Sequence, residues 1–146
     1  MLRCQQPAQL MGNSGLSLNE VLQESLQSVP ACQSACYVDM SAGLVLGTAS
    51  EVRRPQEFYD RLADHAARLC MKDRFTIIST GASMTPFFLF EPSRVGVYLR
   101  NCAEVEHALC FDCTSVDDLE LTVDRVRKTG HRINDIFGLE EGADAG

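Results

Sequence analysis

Residues 17–49, SLNEVLQESLQSVPACQSACYVDMSAGLVLGTA, decide the fold of this chain. The first half of this stretch has apolar residues at a spacing of three or four, which predicts an amphipathic helix. Ser17 and Glu20 form a capping-box pattern at its start, and Pro30 ends it. The apolar positions of the helix are Leu18, Val21, Leu22, Leu26 and Val29.

The second half of the stretch predicts a β-hairpin. Residues 35–39 and 43–49 are short apolar runs, and the small residues between Met40 and Gly43 link them. A helix followed directly by a hairpin indicates a domain that combines helices with a sheet.

A second helix is predicted to begin at Pro55, because the first helical position does not need the amide proton that proline lacks. Phe58, Leu62 and Ala66 recur at helical spacing, and apolar neighbours widen the face that they form. A face this broad on a small domain is typical of a helix with two contacts, one with its own sheet and one with a partner.

Three further strands are predicted at residues 87–90, 95–100 and 107–114. The first two form a hairpin around Pro92, since proline favours the second position of a turn. The third strand is expected at the centre of the sheet because it is almost uncharged. Residues 75–80 also have an extended pattern, but the sequence does not indicate their place in the fold.

The last helix is predicted to start at residue 114 or 115, with Asp117 and Asp118 near the positive end of the helix dipole. Gly138 ends the helix, and Gly130 weakens its middle by about 1 kcal/mol relative to alanine. Its predicted apolar stripe is Val116, Leu119, Val123, Val126, Ile133 and Phe137.

These elements follow the order α-β-β-α-β-β-β-α, which places the chain in the α+β class. The connections are short apart from the helical crossover, so the sheet is expected to be antiparallel. A length of 146 residues fits one domain, here residues 17–138. Flexible segments are expected at residues 1–16 and at the acidic residues 139–146.

Charge and composition narrow the classes of partner. The net charge of −7 and the pI near 4.9 disfavour nucleic acid, because an acidic surface repels the phosphate backbone. The sequence has no run of about 18 apolar residues, so no membrane insertion is expected. Seven cysteines, mostly within hydrophobic runs, predict a reduced, cytoplasmic protein with buried thiols.

The cysteines also suggest a metal site. One pair is Cys32 and Cys36, and the other is Cys110 and Cys113. On neighbouring strands the two pairs would supply four thiolates to zinc. Residues three apart on a strand point to opposite faces, however, so buried thiols are favoured over zinc or a disulfide. A Cys110 nucleophile with His107 as its base meets the same objection.

Other motifs of enzyme chemistry are lacking in the sequence. Gly43 and Gly47 are not followed by the Lys-Ser/Thr pair of a phosphate-binding loop. We therefore expect no catalytic residue, no cofactor and no bound metal, and we expect the chain not to be an enzyme.

The order and content of the elements resemble the roadblock/LC7 family over residues 17–137. The resemblance rests on the helix that ends in Ser28-Val29-Pro30 and on the hairpin of residues 35–39 and 43–46. It rests also on strand 108–111, which is followed by an amphipathic helix with acidic residues at its start. It implies a roadblock/profilin-like fold. In that fold a five-stranded antiparallel sheet carries the first and last helices on one face and the second helix on the other.

The resemblance also implies a homodimer. Family members commonly pair their third strands edge to edge and pack their second helices together. The interface residues implied here are Phe58, Leu62, Ala66, Phe87, Phe88, Leu89 and Phe90. An exposed edge strand of large apolar residues needs a cover on physical grounds as well. Such a module would scaffold or regulate another protein, with a small Ras-like GTPase as the leading class of partner, and would not itself hold nucleotide.

An alternative function is a small-molecule sensor domain of PAS-like or profilin-like architecture. The sequence feature behind it is a set of aromatic residues without an obvious charged anchor. These are Phe87, Phe88, Phe90, Tyr98 and Phe111. Such a domain would enclose a cavity, and a ligand selective for the native state would stabilise it.

Overall fold

The computed structural model describes residues 16–71 and 84–139, which form three α-helices and five β-strands. The elements are α1 (Leu18–Ser28), β1 (Cys32–Asp39), β2 (Leu44–Ser50), α2 (Gln56–Cys70), β3 (Phe87–Glu91), β4 (Arg94–Leu99), β5 (His107–Cys113) and α3 (Leu119–Phe137). The α-β-β-α-β-β-β-α order predicted from the sequence is confirmed. The extended pattern at residues 75–80 and the terminal segments 1–15 and 140–146 lie outside the described residues.

The strands form one antiparallel sheet in the order β2-β1-β5-β4-β3. β5 lies at its centre, as the lack of charge in that strand predicted. Within the described residues, β2 and β3 are the two edges. The two hairpins predicted from the sequence therefore flank β5, one on each side.

Each face of the sheet is covered by its own hydrophobic layer. α1 and α3 cover one face, where Leu22, Phe111 and Ile133 are fully buried. α2 covers the other face, where Leu62 and Tyr98 are buried. The layered arrangement implied by the resemblance is confirmed. No helix of residues 16–71 or 84–139 combines the length and the apolarity needed to cross a membrane.

α1 begins and ends as its sequence predicts. The Glu20 amide donates to Ser17 Oγ at 3.3 Å, and the Ser17 amide donates to Glu20 Oε1 at 2.9 Å. These two bonds satisfy amides that the first turn of a helix leaves without a helical partner. The helix ends at Ser28, two residues before Pro30.

The start of α2 differs from the prediction by one residue. Pro55 has extended backbone angles (φ −74°, ψ 162°) and precedes the helix, which begins at Gln56. Proline can occupy this position because its fixed φ lies within the extended region as well as the helical one. No side chain caps the α2 N-terminus.

The predicted start of the last helix is wrong. α3 begins at Leu119, because the chain does not enter the helix directly after β5: the Thr114 amide donates to the Ala31 carbonyl at 2.9 Å. Asp118 is the cap residue, and its carboxylate accepts from the Leu121 amide at 3.0 Å. Leu119 is consequently 54% exposed and does not belong to the buried stripe.

Candidate functional site

β3 is the edge strand at which the sequence predicted a contact with a second copy. In the part of the chain that the structure describes, β4 is its one strand neighbour. Phe87 and Leu89 pack against the α2 layer, and Phe88 packs against the layer of α1 and α3. An edge strand with large, incompletely buried apolar side chains is open to pairing with another strand.

Phe90 is the most exposed large apolar side chain of the described residues, at 67%. Its ring stacks on the ring of Phe88, with 6.3 Å between the centroids and 19° between the planes. We call these two rings the aromatic ledge. Leu44 of β2, at the opposite edge of the sheet, is 57% exposed.

The α2 residues predicted at the interface point into the protomer. Phe58, Leu62 and Ala66 are 4%, 4% and 0% exposed and lie in the layer between α2 and the sheet. The chain's own sheet already covers them, and their contact with a second copy stays a prediction. The outward positions of α2 are mostly charged. They include Glu57, Asp60, Arg61, Asp64 and Arg68.

Four of the cysteines form two pairs, one on each face of the sheet. Cys32 lies opposite Cys113 in the β1–β5 register, within the layer of α1 and α3. Cys36 lies opposite Cys110, within the α2 layer. The sheet therefore separates Cys110 from Cys113, as the alternation of strand side chains predicted.

The pKa is raised for three of the described thiols, those of Cys32, Cys70 and Cys110. A hydrogen bond with Cys113, together with burial, raises the pKa of Cys32, and burial raises that of Cys110. Burial also raises the pKa of Cys70 to about 12. The thiolate is the nucleophile and the metal ligand, so these thiols suit neither role at neutral pH. The described residues hold no group of three or more His, Cys, Asp or Glu that fits a metal ion.

The aromatic residues that suggested a ligand site do not converge. Phe111 is buried between the sheet and the layer of α1 and α3, whereas Tyr98 is buried under α2. The Tyr98 hydroxyl lies 3.1 Å from His65 Nδ1 on α2. The sheet lies between the two rings, so they cannot line one common pocket.

A buried polar network joins β1, the segment after β4 and α3. The Tyr37 hydroxyl lies 3.1 Å from Asn101 Oδ1 and 3.2 Å from His107 Nδ1. The Asn101 side-chain amide donates to Asn134 Oδ1 at 2.6 Å, and the Asn134 amide donates to the Asn101 carbonyl at 2.9 Å. Burial raises the pKa of Tyr37, which stays a neutral hydrogen-bonding group. The network is suited to fixing α3 on the sheet.

His107 makes the stability of this end of the fold depend on pH. Burial lowers the pKa of His107, and the nearby Asp39 carboxylate offsets part of that effect. As the pH falls below about 6.5, the ordinary pKa of histidine, the unfolded chain takes up the proton before the folded one does. We therefore expect the free energy of unfolding to decrease as the pH falls from about 6.5 to the lowered pKa that His107 has in the folded state.

His107→Gln is expected to remove this part of the pH dependence, which is bounded by the slope of one proton, about 1.4 kcal/mol per pH unit. Urea unfolding of both proteins across a series of pH values measures it. Tyr37 and Phe137 contact the ring and do not titrate in this range. Asp39 does not interfere, because a hydrogen bond from the Ser41 side chain helps to lower the pKa of this carboxyl and so keeps its titration below the range measured. Parallel stability profiles for the two proteins would contradict the assignment.

Sequence reasoning missed a buried ion pair. Arg54 Nη2 lies 3.2 Å from Asp112 Oδ2, and Asp112 is 2% exposed at the centre of the sheet. The signal was present, because Asp112 is the one charged residue in the run ALCFDC, residues 108–113. A carboxyl group buried in a central strand must be paired or protonated.

Comparison of the sequence with protein-family models and with curated proteins finds no match. Solved structures do match the fold. The roadblock/LC7 domain from Streptomyces avermitilis superposes with a TM-score of 0.66 at 15% identity and covers 82% of this chain and 97% of its own. Myxococcus xanthus MglB gives 0.63 at 14% identity, covering 83% and 94%. An MglB in a tetrameric arrangement gives 0.61 at 15% identity, covering 82% and 86%.

The match covers most of the chain. The aligned share of the chain, 82–83%, is enough to hold the whole sheet and all three of the described helices. At this level of sequence identity the likeness is one of fold. The chain therefore has the fold of the roadblock/LC7 family.

Proposed function

We propose that the chain is a non-catalytic interaction module that forms a homodimer and scaffolds or regulates another protein. The observation that carries this proposal is the position of β3 at the edge of the sheet formed by the described residues, together with its aromatic ledge of Phe88 and Phe90. The similarity to an MglB in a tetrameric arrangement supports self-association.

The length of β3 suggests how two copies pair. β3 runs from Phe87 to Glu91, so Leu89 is its central residue. Antiparallel pairing about a two-fold axis at Leu89 places Phe88 of one copy opposite Phe90 of the other. Directly opposed aromatic side chains are among the favourable cross-strand pairs. The two sheets then form one continuous sheet, and the two ledges join on one face.

In this dimer, α2 would contribute its outer surface rather than its buried apolar face. Phe58, Leu62 and Ala66 hold the helix on the sheet, and Leu89 of β3 packs against the same layer. The outer, charged surface of α2 is therefore on the same side of the sheet as the Leu89 side chain and is available to the second copy or to a partner.

For the partner, we propose a small Ras-like GTPase or another signalling protein in the cytoplasm, following the family resemblance. The chain itself would hold no nucleotide. Titration calorimetry with GTP and with GDP is expected to show no binding to the purified chain. Saturable binding of either nucleotide would contradict a purely regulatory role.

Phe90→Asp is expected to dissociate the dimer. Pairing would bring the new carboxylate against the Phe88 ring of the other copy, and an unpaired charge in an apolar contact is costly. We expect the dimer dissociation constant to rise by at least about tenfold, which corresponds to 1.4 kcal/mol. Light scattering over a range of concentrations measures the mass directly.

Leu44→Asp is the matched control, because it places the same charge on an exposed apolar position of the other edge strand. We expect that variant to remain a dimer. A wild-type monomer at all concentrations would overturn the proposed dimer. If Phe90→Asp and Leu44→Asp dissociate the dimer equally, the dimer interface is not at the β3 edge.

A further inference from the structure

Three arginines surround the ring of Phe58 at the start of α2. The guanidinium carbons of Arg54, Arg94 and Arg61 lie 4.4, 5.4 and 5.5 Å from the ring centroid. The three residues come from different elements: the loop before α2, the first position of β4, and α2 itself. We call Arg54, Arg61 and Arg94 the arginine cluster.

One buried carboxylate faces this cluster. Asp112 Oδ2 pairs with Arg54 at 3.2 Å, and Asp112 Oδ1 lies 3.5 Å from Arg94 Nη1. Among the described residues, Oδ1 has no hydrogen-bond partner although it is fully buried. Burial raises the pKa of Asp112 in spite of the arginines. Arg54 and Arg94 share this one carboxylate, and Arg61 lies near it without an ion pair among the described residues.

The cluster is divided into a fixed part and a reachable part. Arg54 also donates to Ser34 Oγ at 3.3 Å and to Gln33 Oε1 at 3.2 Å, and so its guanidinium is held in place. The Arg94 side chain is 31% exposed, and Arg61 is exposed on the outer surface of α2. These two guanidinium groups can therefore reach a ligand in solution.

We propose that the arginine cluster is a docking site for a carboxylate side chain in an acidic segment of a partner protein. The inference rests on the proposed function, since it assumes that the chain binds proteins. A guanidinium group recognises a carboxylate by two parallel hydrogen bonds. The uncapped N-terminus of α2, next to Arg54, adds a partial positive charge on the same side.

The surroundings favour isolated carboxylates over a polyanion. Glu91 lies opposite Arg94 in the β3–β4 register, and Glu57 precedes Phe58 on α2. These acids and the overall negative charge repel a long run of phosphates. A single side-chain carboxylate needs to approach only the Arg61 and Arg94 guanidinium groups, so the rest of the peptide can stay away from Glu57 and Glu91.

The probe is a short, end-blocked peptide rich in glutamate, compared with the same peptide carrying glutamine. NMR titration follows the backbone and the arginine Nε–H signals of the purified protein. We expect saturable shifts centred on Arg61 and Arg94, weakened by salt, and at least about tenfold weaker binding of the glutamine peptide. No binding of the glutamate peptide, or equal binding of the two peptides, would overturn the proposal.

Arg61→Glu tests the location, and Arg68→Glu is its control. Both arginines are exposed on α2, and Arg68 lies in the last turn, paired with Asp64 at 3.1 Å. We expect Arg61→Glu to weaken peptide binding at least tenfold and Arg68→Glu to change it less than twofold. Arg94→Gln, which keeps a polar side chain and adds no repulsion, should weaken binding as well. Equal loss in the Arg61 and Arg68 variants would mean non-specific charge attraction and would overturn the site.

Two further measurements distinguish peptide binding at the arginine cluster from dimerisation and from phosphate binding. Light scattering of Arg61→Glu should still give a dimer; dissociation would assign the cluster to the contact between copies and overturn the partner site. Inorganic phosphate should not displace the peptide at equal concentration, and displacement would overturn the preference for carboxylate. A monomeric wild type that binds the glutamate peptide would contradict the dimer alone.

Discussion

Leu22→Ala is expected to lower the free energy of unfolding by about 2–5 kcal/mol. Leu22 is 0% exposed, between α1 and the sheet. Alanine would remove its methyl groups and leave a cavity that the fixed sheet cannot close. Because small domains are stable by only about 5–15 kcal/mol, this is a large share of the total. Urea unfolding, analysed with a common slope, measures the change.

Leu119→Ala is the matched control for this prediction. The sequence pattern places Leu119 on an apolar helical stripe, as it does Leu22, but Leu119 is 54% exposed at the first position of α3. We expect its truncation to change stability by less than about 0.5 kcal/mol. Similar losses in the two variants would mean that the α3 start described here is wrong.

Gly96→Ala is expected to lower the free energy of unfolding by about 1–3 kcal/mol. A Cβ atom at residue 96 would lie 2.6 Å from the Tyr98 hydroxyl and 2.7 Å from its Cε2. Tyr98 is 1% exposed, and its hydroxyl lies 3.1 Å from His65 Nδ1, so the ring cannot swing away freely. The added methyl group must displace either the ring or α2. Thermal and urea unfolding measure the loss.

A double-mutant cycle shows whether Tyr98 is the cause. In a Tyr98→Leu background the aromatic ring above residue 96 is absent, and we expect the cost of Gly96→Ala to fall to well below 1 kcal/mol, a coupling of about 1–2 kcal/mol between the sites. Additive effects would indicate that the alanine strains the strand itself.

The aromatic ledge and one member of the arginine cluster lie on neighbouring strands because of the sheet order. β3 and β4 are neighbours, and Arg94 begins β4 directly opposite Glu91 at the end of β3. The aromatic ledge faces the side of α1 and α3, whereas the arginine cluster lies on the α2 side. Dimerisation along the β3 edge would therefore bring the arginine clusters of two copies onto the same face of one sheet.

The cost of burying Asp112 is consistent with a binding role for its surroundings. Burial raises the pKa of the carboxyl, so the ionised form is less stable in the folded chain than in water. Stability from this group is therefore largest at low pH and declines as the pH rises through its raised pKa. Groups held in an unfavourable charge state are more frequent at functional sites than elsewhere.

Local patterns in the sequence were sufficient for the element order and for several boundaries. The capping box of Ser17 and Glu20, the stop at Pro30 and the end of the last helix at Gly138 are all as expected. Each depends on interactions within a few residues, and so the sequence alone carries it. The central place of β5 also followed from its composition, because a strand buried on both faces has little room for charge.

Contacts between distant residues decided the rest. The start of α3 moved to Leu119 because Thr114 pairs with Ala31, a residue 83 positions earlier. The helical pattern also suggested that Gly130 weakens α3 by about 1 kcal/mol relative to alanine. In the fold, a Cβ there would lie 2.9 Å from Leu99 Cδ2, so the glycine permits a close approach of α3 to β4.

The candidate sites show the same division. The sequence alone determined a helix-and-sheet domain with apolar residues on both α2 and β3, because hydrophobic periodicity and turn residues are local properties. Only the tertiary structure decided that the apolar face of α2 packs against its own sheet and that β3 is an edge strand of the described sheet. It also decided that Arg54, Arg61 and Arg94 meet around Phe58. The physical reason is that strand order and helix docking bring together residues with no local pattern in common.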